Sequence, residues 1–217
     1  MGSIYSLVGF FQKGGLFMYP ILLVFAVGMA IAVERWIHLS RIRSANRKMW
    51  NLLHPVLAEG EFEKAREMVN EDKSTISQML GMGLARQGAV RRREDIEIAM
   101  EESMMEIIPQ LEKRTPYLGL LANIATLLGL LGTIMGLIEA FTAVANANPA
   151  EKADLLSASI SVAMNTTAFG LMAAIPLLLL HAKLTSTTGQ IVDSLEMASV
   201  KALNSISNTA KRQFQAS

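Results

Sequence analysis

The sequence contains no cysteine and little charge. Charged residues make up 18% of its 217 residues, whereas 51% are hydrophobic and the mean hydropathy is +0.33. The missing cysteines exclude disulfides, thiol chemistry and iron–sulfur clusters. The three histidines, His38, His54 and His181, lie far apart in the chain, so no zinc-binding cluster is indicated. The composition favours a membrane protein.

Residues that could carry covalent catalysis or nucleic-acid binding are also scarce. The sequence shows no nucleophile–base constellation, no phosphate-binding loop and no metal-ligand cluster, so neither an enzyme activity nor a bound cofactor is predicted. The one basic run, Arg91-Arg92-Arg93, is followed at once by acids, and support for nucleic-acid binding is therefore weak.

Three long apolar runs dominate what is present. Each is about 20 residues or longer, which is enough to cross a hydrocarbon core of roughly 30 Å. We therefore predict an all-α membrane protein with three transmembrane helices and long helices that extend into a cytoplasmic helical domain. The predicted segments are a periplasmic or interfacial N-terminus (1–15), transmembrane helix 1 (16–37), the cytoplasmic domain (38–115), transmembrane helix 2 (116–145), a periplasmic loop (146–156), transmembrane helix 3 (157–182) and a cytoplasmic C-terminal helix (183–217).

The polar segment 38–115 has helical periodicity throughout. Asn51 to Asn70 is interpreted as two short helices divided at Glu59-Gly60, and Ser74 to Arg86 as a third. Arg91 to Arg114 is predicted to form a long helix whose pattern runs on into transmembrane helix 2.

The basic residues predict the orientation. Of the 20 Lys and Arg residues, 18 lie in 34–115 and 183–217, and only Lys13 and Lys152 lie elsewhere. Cytoplasmic flanks of membrane helices carry such an excess. The charge order around the first run also favours an uncleaved helix over a cleaved signal peptide, although Ala30-Ile31-Ala32 resembles a cleavage site. The N-terminus is therefore predicted to be outside.

Small and hydroxyl-bearing residues recur inside the second and third runs. Small residues let membrane helices approach closely, and the predicted packing positions are Gly129, Gly132, Gly136, Gly170 and Ala174. A membrane threonine commonly bonds to its own helix four residues back, so packing is the default interpretation of each one. Several on facing helices, together with Asn165, could instead hydrate a proton carrier or coordinate a small cation through oxygen.

Glu139 is the only carboxylate within the apolar body of either long span. It is interpreted either as part of the entrance to a cation pathway or as an interfacial side chain that reaches water. The depth of Glu139 in the membrane decides between these two interpretations. A proton relay usually needs a titratable group near the middle of the membrane, and the third span has none. If the chain conducts ions, the titratable group is expected to come from a partner helix.

Two stretches resemble the signatures of the MotA/TolQ/ExbB family. They are LLGLLGTIMG at 127–136, followed by Ala140-Phe141, and AMNTTAFGLMAAIP at 163–176. The resemblance covers essentially the whole chain and is strongest to the three-span ExbB and TolQ subunits. It implies a bacterial inner-membrane motor in which a pentamer of this chain surrounds a dimer of a single-span ExbD-, TolR- or MotB-like partner. The partner's membrane Asp carries H⁺ or Na⁺, and a TonB- or TolA-like or other envelope effector receives the work.

The resemblance also implies which residues line the ion pathway. Thr133 and Thr167 match the family's pore-facing threonines, and Thr166, Asn165 and Glu139 complete the predicted pathway. Val162 stands where ExbB and TolQ usually have Glu, and Thr126 replaces a proline. Losing a carboxylate while gaining hydroxyls fits transient Na⁺ coordination at Thr133, Thr166 and Thr167. The sequence thus leaves H⁺ and Na⁺ open, and a non-conducting scaffold for the partner is the alternative function.

Overall fold

The computed structural model describes residues 15–87 and 93–216, with side chains described as far as Thr209. The described chain is all α-helical, which confirms the predicted fold class. The predicted N-terminal segment lies outside these ranges apart from Gly15, as do Arg91 and Arg92 of the basic run. The helices are α1 (Met18–Glu59), α2 (Phe62–Glu71), α3 (Thr75–Arg86), α4 (Arg93–Glu112), α5 (Thr115–Asn146) and α6 (Lys152–Ala216).

Three helical stretches are long and apolar enough to cross a membrane. They are Met18–Glu59, Arg93–Asn146 and Lys152–Thr209, the second of which comprises α4 and α5. Large apolar side chains stay exposed on them: Leu127 is 62% exposed and Leu179 is 67% exposed. Such surface is unfavourable in water but suits contact with lipid. The predicted number of membrane-crossing helices is thereby confirmed.

The first compact unit combines the chain up to Glu34 with Arg114–Lys183. Its helices meet at small residues. In α1, a Cβ added at Gly28 would lie 2.6 Å from Cδ2 of Leu177 in α6, so Leu177 occupies the space that the glycine leaves. Leu177 is fully buried in consequence.

The second compact unit combines Arg35–Lys113 with Leu184–Ser217. Large side chains fill its core, and those that are fully buried include Leu39, Leu53, Leu57, Met79, Leu80, Leu84, Met100 and Leu111. Ser74 caps α3, because its hydroxyl accepts a hydrogen bond from the Ser77 backbone N–H at 3.3 Å. Asn46 of α1 binds the same helix end through Thr75 and the Ile76 N–H.

Asp72 stabilises the start of α3. It accepts hydrogen bonds from the Ser74 backbone N–H at 3.0 Å, from the Ser77 hydroxyl at 2.7 Å, and from the Ser74 hydroxyl. Partial burial alone would raise the pKa of Asp72, but these bonds, together with one from the Lys73 backbone, lower it below the ordinary value of 3.8.

Several helix ends differ from the sequence-based expectation. Asn51–Glu59 is the end of the continuous α1, which passes through Pro55, and not a separate short helix. Helices α4 and α5 are interrupted at Arg114, whose φ is +67°, because Pro116 in the first turn of α5 favours a new helix start. Helix α6 begins at Lys152, inside the predicted loop 146–156. The predicted membrane boundaries themselves stay predictions.

Candidate ion-conducting site

Helices α5 and α6 approach most closely at two glycines. A Cβ added at Gly129 would lie 3.2 Å from the Gly170 Cα, and one added at Gly170 would lie 2.7 Å from the Ala125 carbonyl oxygen and 3.0 Å from the Gly129 Cα. The obstacles are backbone atoms, which cannot rotate away. Gly129 and Gly170 therefore let the two backbones touch, as small residues do between membrane helices.

Two more of the predicted packing residues, Gly132 and Gly136, continue this contact, which we call the α5–α6 seam. A Cβ at Gly132 would lie 2.4 Å from Cγ2 of Thr166, and one at Gly136 would lie 2.9 Å from Cβ of Ala163. The seam therefore has small residues on both helices. Ala174 is buried, at 2% exposed, and its place in the seam stays a prediction.

Thr133 and Thr167 meet across the seam. Their hydroxyls hydrogen-bond to each other. The Thr133 hydroxyl also lies 3.2 Å from the Gly129 carbonyl oxygen and 3.3 Å from that of Ala163, and the Thr167 hydroxyl donates to the Gly129 oxygen at 3.0 Å. Each hydroxyl has one hydrogen but several acceptor oxygens within reach. Either threonine can therefore be the donor in the bond between the two hydroxyls. Two hydroxyl and two carbonyl oxygens are thus gathered at one point, which we call the threonine cluster.

Three other threonines of these helices donate to a carbonyl of their own helix four residues back. The hydroxyls of Thr126 and Thr142 donate to the carbonyls of Ala122 and Ile138 at 3.1 and 2.8 Å. The Thr166 hydroxyl likewise donates to the Val162 carbonyl at 3.1 Å, while its methyl group faces Gly132. The sequence analysis grouped Thr166 with Thr133 and Thr167 as possible Na⁺ ligands, whereas the described Thr166 hydroxyl bond is to a carbonyl of its own helix.

The remaining predicted pathway residues lie apart from the threonine cluster. Glu139 is exposed, and six residues beyond Thr133 it is rotated by about 120° around α5 at 3.6 residues per turn. Asn165 is half-buried on α6. Among the described contacts, neither side chain bonds to Thr133 or Thr167. Their assignment to the pathway stays a prediction.

A second polar contact on the seam was missed from the sequence. His181 of α6 lies with its Nδ1 3.0 Å from the Thr115 carbonyl oxygen, which can only accept, so Nδ1 carries the hydrogen. Thr115 precedes Thr133 by five helical turns and therefore shares its face of α5. The spacing gave no signal for this contact, because it uses the Thr115 backbone carbonyl and depends on how α6 packs against α5. A separate ion pair lies next to Thr115, where the Arg114 guanidinium is 3.5 Å from the Glu34 carboxylate.

The threonine cluster offers oxygen ligands in an apolar surrounding. Such oxygens can replace part of the water around a hard cation, or pass a hydrogen bond along a chain of hydroxyls. Within the described residues, no carboxylate bonds to either hydroxyl. These side chains can therefore solvate a passing ion but do not themselves bind and release a proton near neutral pH.

Comparisons with known proteins identify the family of this chain. A model of the MotA/TolQ/ExbB proton channel family matches residues 71–197. The chain is 26% identical over 189 residues to a putative biopolymer transport protein ExbB homolog of Methanothermobacter thermautotrophicus, covering 86% of this chain and 66% of that protein. It is 36% identical over 86 residues to the Tol-Pal system protein TolQ of Haemophilus influenzae, covering 40% of this chain and 37% of TolQ.

A third relative is matched over most of its length. It is the putative biopolymer transport protein ExbB-like 1 of Synechocystis sp., 29% identical over 189 residues, which covers 84% of this chain and 72% of that protein. The family match includes all of α5, residues 152–197 of α6, and more than half of the chain. This chain therefore belongs to the MotA/TolQ/ExbB proton channel family.

Proposed function

We propose that this chain is the ion-conducting subunit of a TolQ/ExbB-type motor in the bacterial inner membrane. The observation that carries the proposal is the threonine cluster, in which Thr133 and Thr167 place hydroxyls together between two apolar helices. Burying hydroxyls in a membrane protein is unfavourable unless they are bonded. Here they bond across the seam, at positions that match the family's pore-facing threonines.

The chain works with a partner that supplies the titratable group. Thr133 and Thr167 change no charge near neutral pH, so ion uptake and release need a carboxylate from elsewhere. A single-span partner of the ExbD, TolR or MotB type with a membrane Asp fits this need. The chain would surround a dimer of that partner as a homopentamer, with its N-terminus periplasmic and its C-terminus cytoplasmic. Work would then pass to a TonB- or TolA-like or other envelope effector.

The transported ion is H⁺ or Na⁺. Val162 leaves the pathway without the carboxylate that ExbB and TolQ usually carry there. The oxygens of the threonine cluster could hold Na⁺ briefly once the bond between the hydroxyls opens, or could solvate a proton carried by the partner. Replacing Na⁺ by K⁺ during activity distinguishes the two: loss of activity identifies Na⁺, whereas loss only with an uncoupler identifies H⁺.

A non-conducting scaffold is the second candidate function. It is favoured by the fact that both hydroxyls already have partners within the chain. Interhelical hydrogen bonds of this kind also hold membrane helices together. A chain that only positions the partner would need nothing more from them.

Conservative threonine variants separate the two functions. We would measure ion flux in proteoliposomes that contain the chain and its partner, comparing Thr133→Val and Thr167→Val with Thr142→Val. Thr133→Val and Thr167→Val each remove one oxygen that contacts the ion, and the lost contact contributes about 1.4 kcal/mol. Ion flux is therefore expected to fall roughly tenfold in each. Thr142 bonds only within α5, so its variant should conduct normally. Absence of flux in the unmodified complex, with partner binding intact, would instead support the scaffold, and full flux in Thr133→Val and Thr167→Val would remove the threonine cluster from the pathway.

A further inference from the structure

The second compact unit contains a small basic pocket. Its volume is about 290 Å³. Helix α1 supplies one wall, α6 supplies the facing wall, and α3 contributes one residue. We call it the arginine pocket, and it is lined by Arg43, Asn46, Arg47, Trp50, Ile76, Gln190, Ser194 and Met197.

The two arginines of the pocket have no carboxylate partner among the ion pairs of the described residues. Arg43 and Arg47 are one turn apart on α1 and are exposed. Within the described residues neither pairs with a carboxylate, and no acid lines the pocket. By contrast, Lys64 and Arg66 of α2 are both paired with glutamates. The arginine pocket is therefore suited to an anion supplied from outside the chain.

The hydrogen-bond donors of the pocket point to the same ligand. The Asn46 amide donates to the Thr75 hydroxyl oxygen at 2.8 Å, and the Ser194 hydroxyl donates to the Ile191 carbonyl at 2.7 Å. Neither is therefore the main contact for an anion. Gln190 and Trp50 also line the pocket with N–H donors, but only the two guanidinium groups carry charge, and their planar forks match the oxygens of a phosphate group.

The pocket is amphipathic and small. Trp50, Ile76 and Met197 give it apolar surface beside the two guanidinium groups. Its volume lies at the lower end of the range of about 300–1,000 Å³ that is typical of small-molecule sites. It could hold a headgroup, while any attached acyl chains would remain outside.

The pocket is also close to the predicted inner surface of the membrane. Arg43 lies six residues beyond the predicted end of transmembrane helix 1 at residue 37, or about 9 Å along the helix at 1.5 Å per residue. Helical side chains lean toward the N-terminus of their helix, which for α1 is the direction of the membrane. We infer that the arginine pocket binds the phosphate group of an anionic phospholipid in the inner leaflet. This inference uses the proposed orientation but does not require ion conduction.

Charge-matched variants test the site. The full-length chain would be purified in a neutral detergent and titrated with phosphatidylglycerol or phosphatidylcholine, with bound lipids counted by native mass spectrometry. Arg43→Gln/Arg47→Gln removes the pocket's charges. Arg41→Gln/Lys48→Gln removes two charges from the same stretch of α1 that do not line this pocket. Arg43→Lys/Arg47→Lys keeps the charge but removes the planar forks.

The expected result is specific to the pocket. Two basic contacts account for about thirtyfold in affinity for an anionic surface, so the pocket variant should weaken phosphatidylglycerol binding by at least tenfold more than the charge-matched variant. The lysine variant should lie between them. Retained helical circular dichroism would show that all three fold.

Three outcomes would overturn the inference. Equal losses in the two glutamine variants would mean diffuse surface attraction without a site. Equal binding of both lipids would exclude recognition of net negative charge. If inorganic phosphate or a nucleotide competed at the pocket while phosphatidylglycerol did not bind there, the ligand would be soluble and the lipid assignment would be wrong. Absence of ion flux in the unmodified complex, with intact lipid binding, would count only against the proposed function.

Discussion

The two compact units hold their helices together in different ways. In the first, α5 and α6 meet backbone to backbone at Gly129 and Gly170 and bond through the hydroxyls of the threonine cluster. In the second, large side chains such as Leu80 and Met100 fill the space between helices. Lipid gives no hydrophobic drive for burying leucine, so the membrane helices need close fit and polar bonds, whereas helices in water gain from burying large side chains. The same added methyl group should therefore have different consequences in the two units.

Gly170→Ala should have the largest effect. Its Cβ would meet the Ala125 carbonyl oxygen and the Gly129 Cα, so α5 and α6 must separate. We expect a destabilisation of about 3 kcal/mol, at the upper end for overpacking, seen as a lower thermal unfolding midpoint in detergent. Gly189→Ala in the same helix is the control, since nothing lies within 4 Å of its added Cβ. It should gain about 0.5–1 kcal/mol from helix propensity. Equal midpoints for the two variants would contradict the close approach.

Gly83→Ala should have a smaller effect, because a movable side chain stands in the way. Its Cβ would lie 2.7 Å from Cγ and 2.9 Å from Sδ of Met100. Methionine is flexible and can shift, so a loss of about 1 kcal/mol is expected from the same thermal measurement. In a Met100→Ala background the obstacle is gone, and Gly83→Ala should then be neutral or stabilising. A loss that persists in that background would show that backbone, not Met100, limits the space.

The sequence predicted the helices of this fold better than their ends. The break at Glu59-Gly60 was predictable, and Gly60 has a φ of +81° that suits a turn. The interruption at Arg114 was missed because the apolar periodicity continues across it and arginine seldom adopts positive φ, although Pro116 is a local signal for a helix start. Local periodicity gives the faces of helices, but it does not show where one helix ends and the next begins.

The candidate site was predictable in composition but not in geometry. Motif resemblance identified Thr133 and Thr167, and residue type alone identified the packing glycines. Every helical threonine can bond four residues back, so the sequence could not show that Thr166 does so while Thr167 reaches across the seam. That distinction depends on how α6 is rotated against α5. The contact between His181 and Thr115 could not be predicted for the same reason, since it depends on how α5 and α6 are aligned along their axes.

The threonine cluster predicts a measurable coupling between its members. In a double-mutant cycle of unfolding free energies, Thr133→Val and Thr167→Val should be non-additive by about 1 kcal/mol, between the average of about 0.6 kcal/mol and the maximum of about 1.7 kcal/mol for membrane hydrogen bonds. Thr142→Val paired with Thr167→Val should be additive, because the Thr142 hydroxyl bonds only to Ile138. Additivity in the first pair would mean that the bond between the two hydroxyls contributes nothing to holding the helices together.

An effect of about 1 kcal/mol or less, depending on pH, is expected in the second unit, where Asp72→Asn should remove a pH-dependent contribution. Its carboxylate accepts bonds from Ser74 and Ser77, and its lowered pKa means that folding favours the ionised form. The contribution is complete above the ordinary value of 3.8 and is lost as pH falls through the lower folded value. Asp72→Asn should thus cost about 1 kcal/mol at pH 7, low for charge-assisted bonds because the site is partly exposed, and progressively less in acid.

Thermal unfolding midpoints measured from pH 7 down to about 2.5 would show the variant and the unmodified chain converging, since a protonated Asp is then as uncharged as Asn. Glu71→Gln removes the neighbouring charge without these bonds and should show no such convergence. If Asp72→Asn kept its full deficit in acid, the hydrogen-bonded carboxylate would not be what stabilises the start of α3.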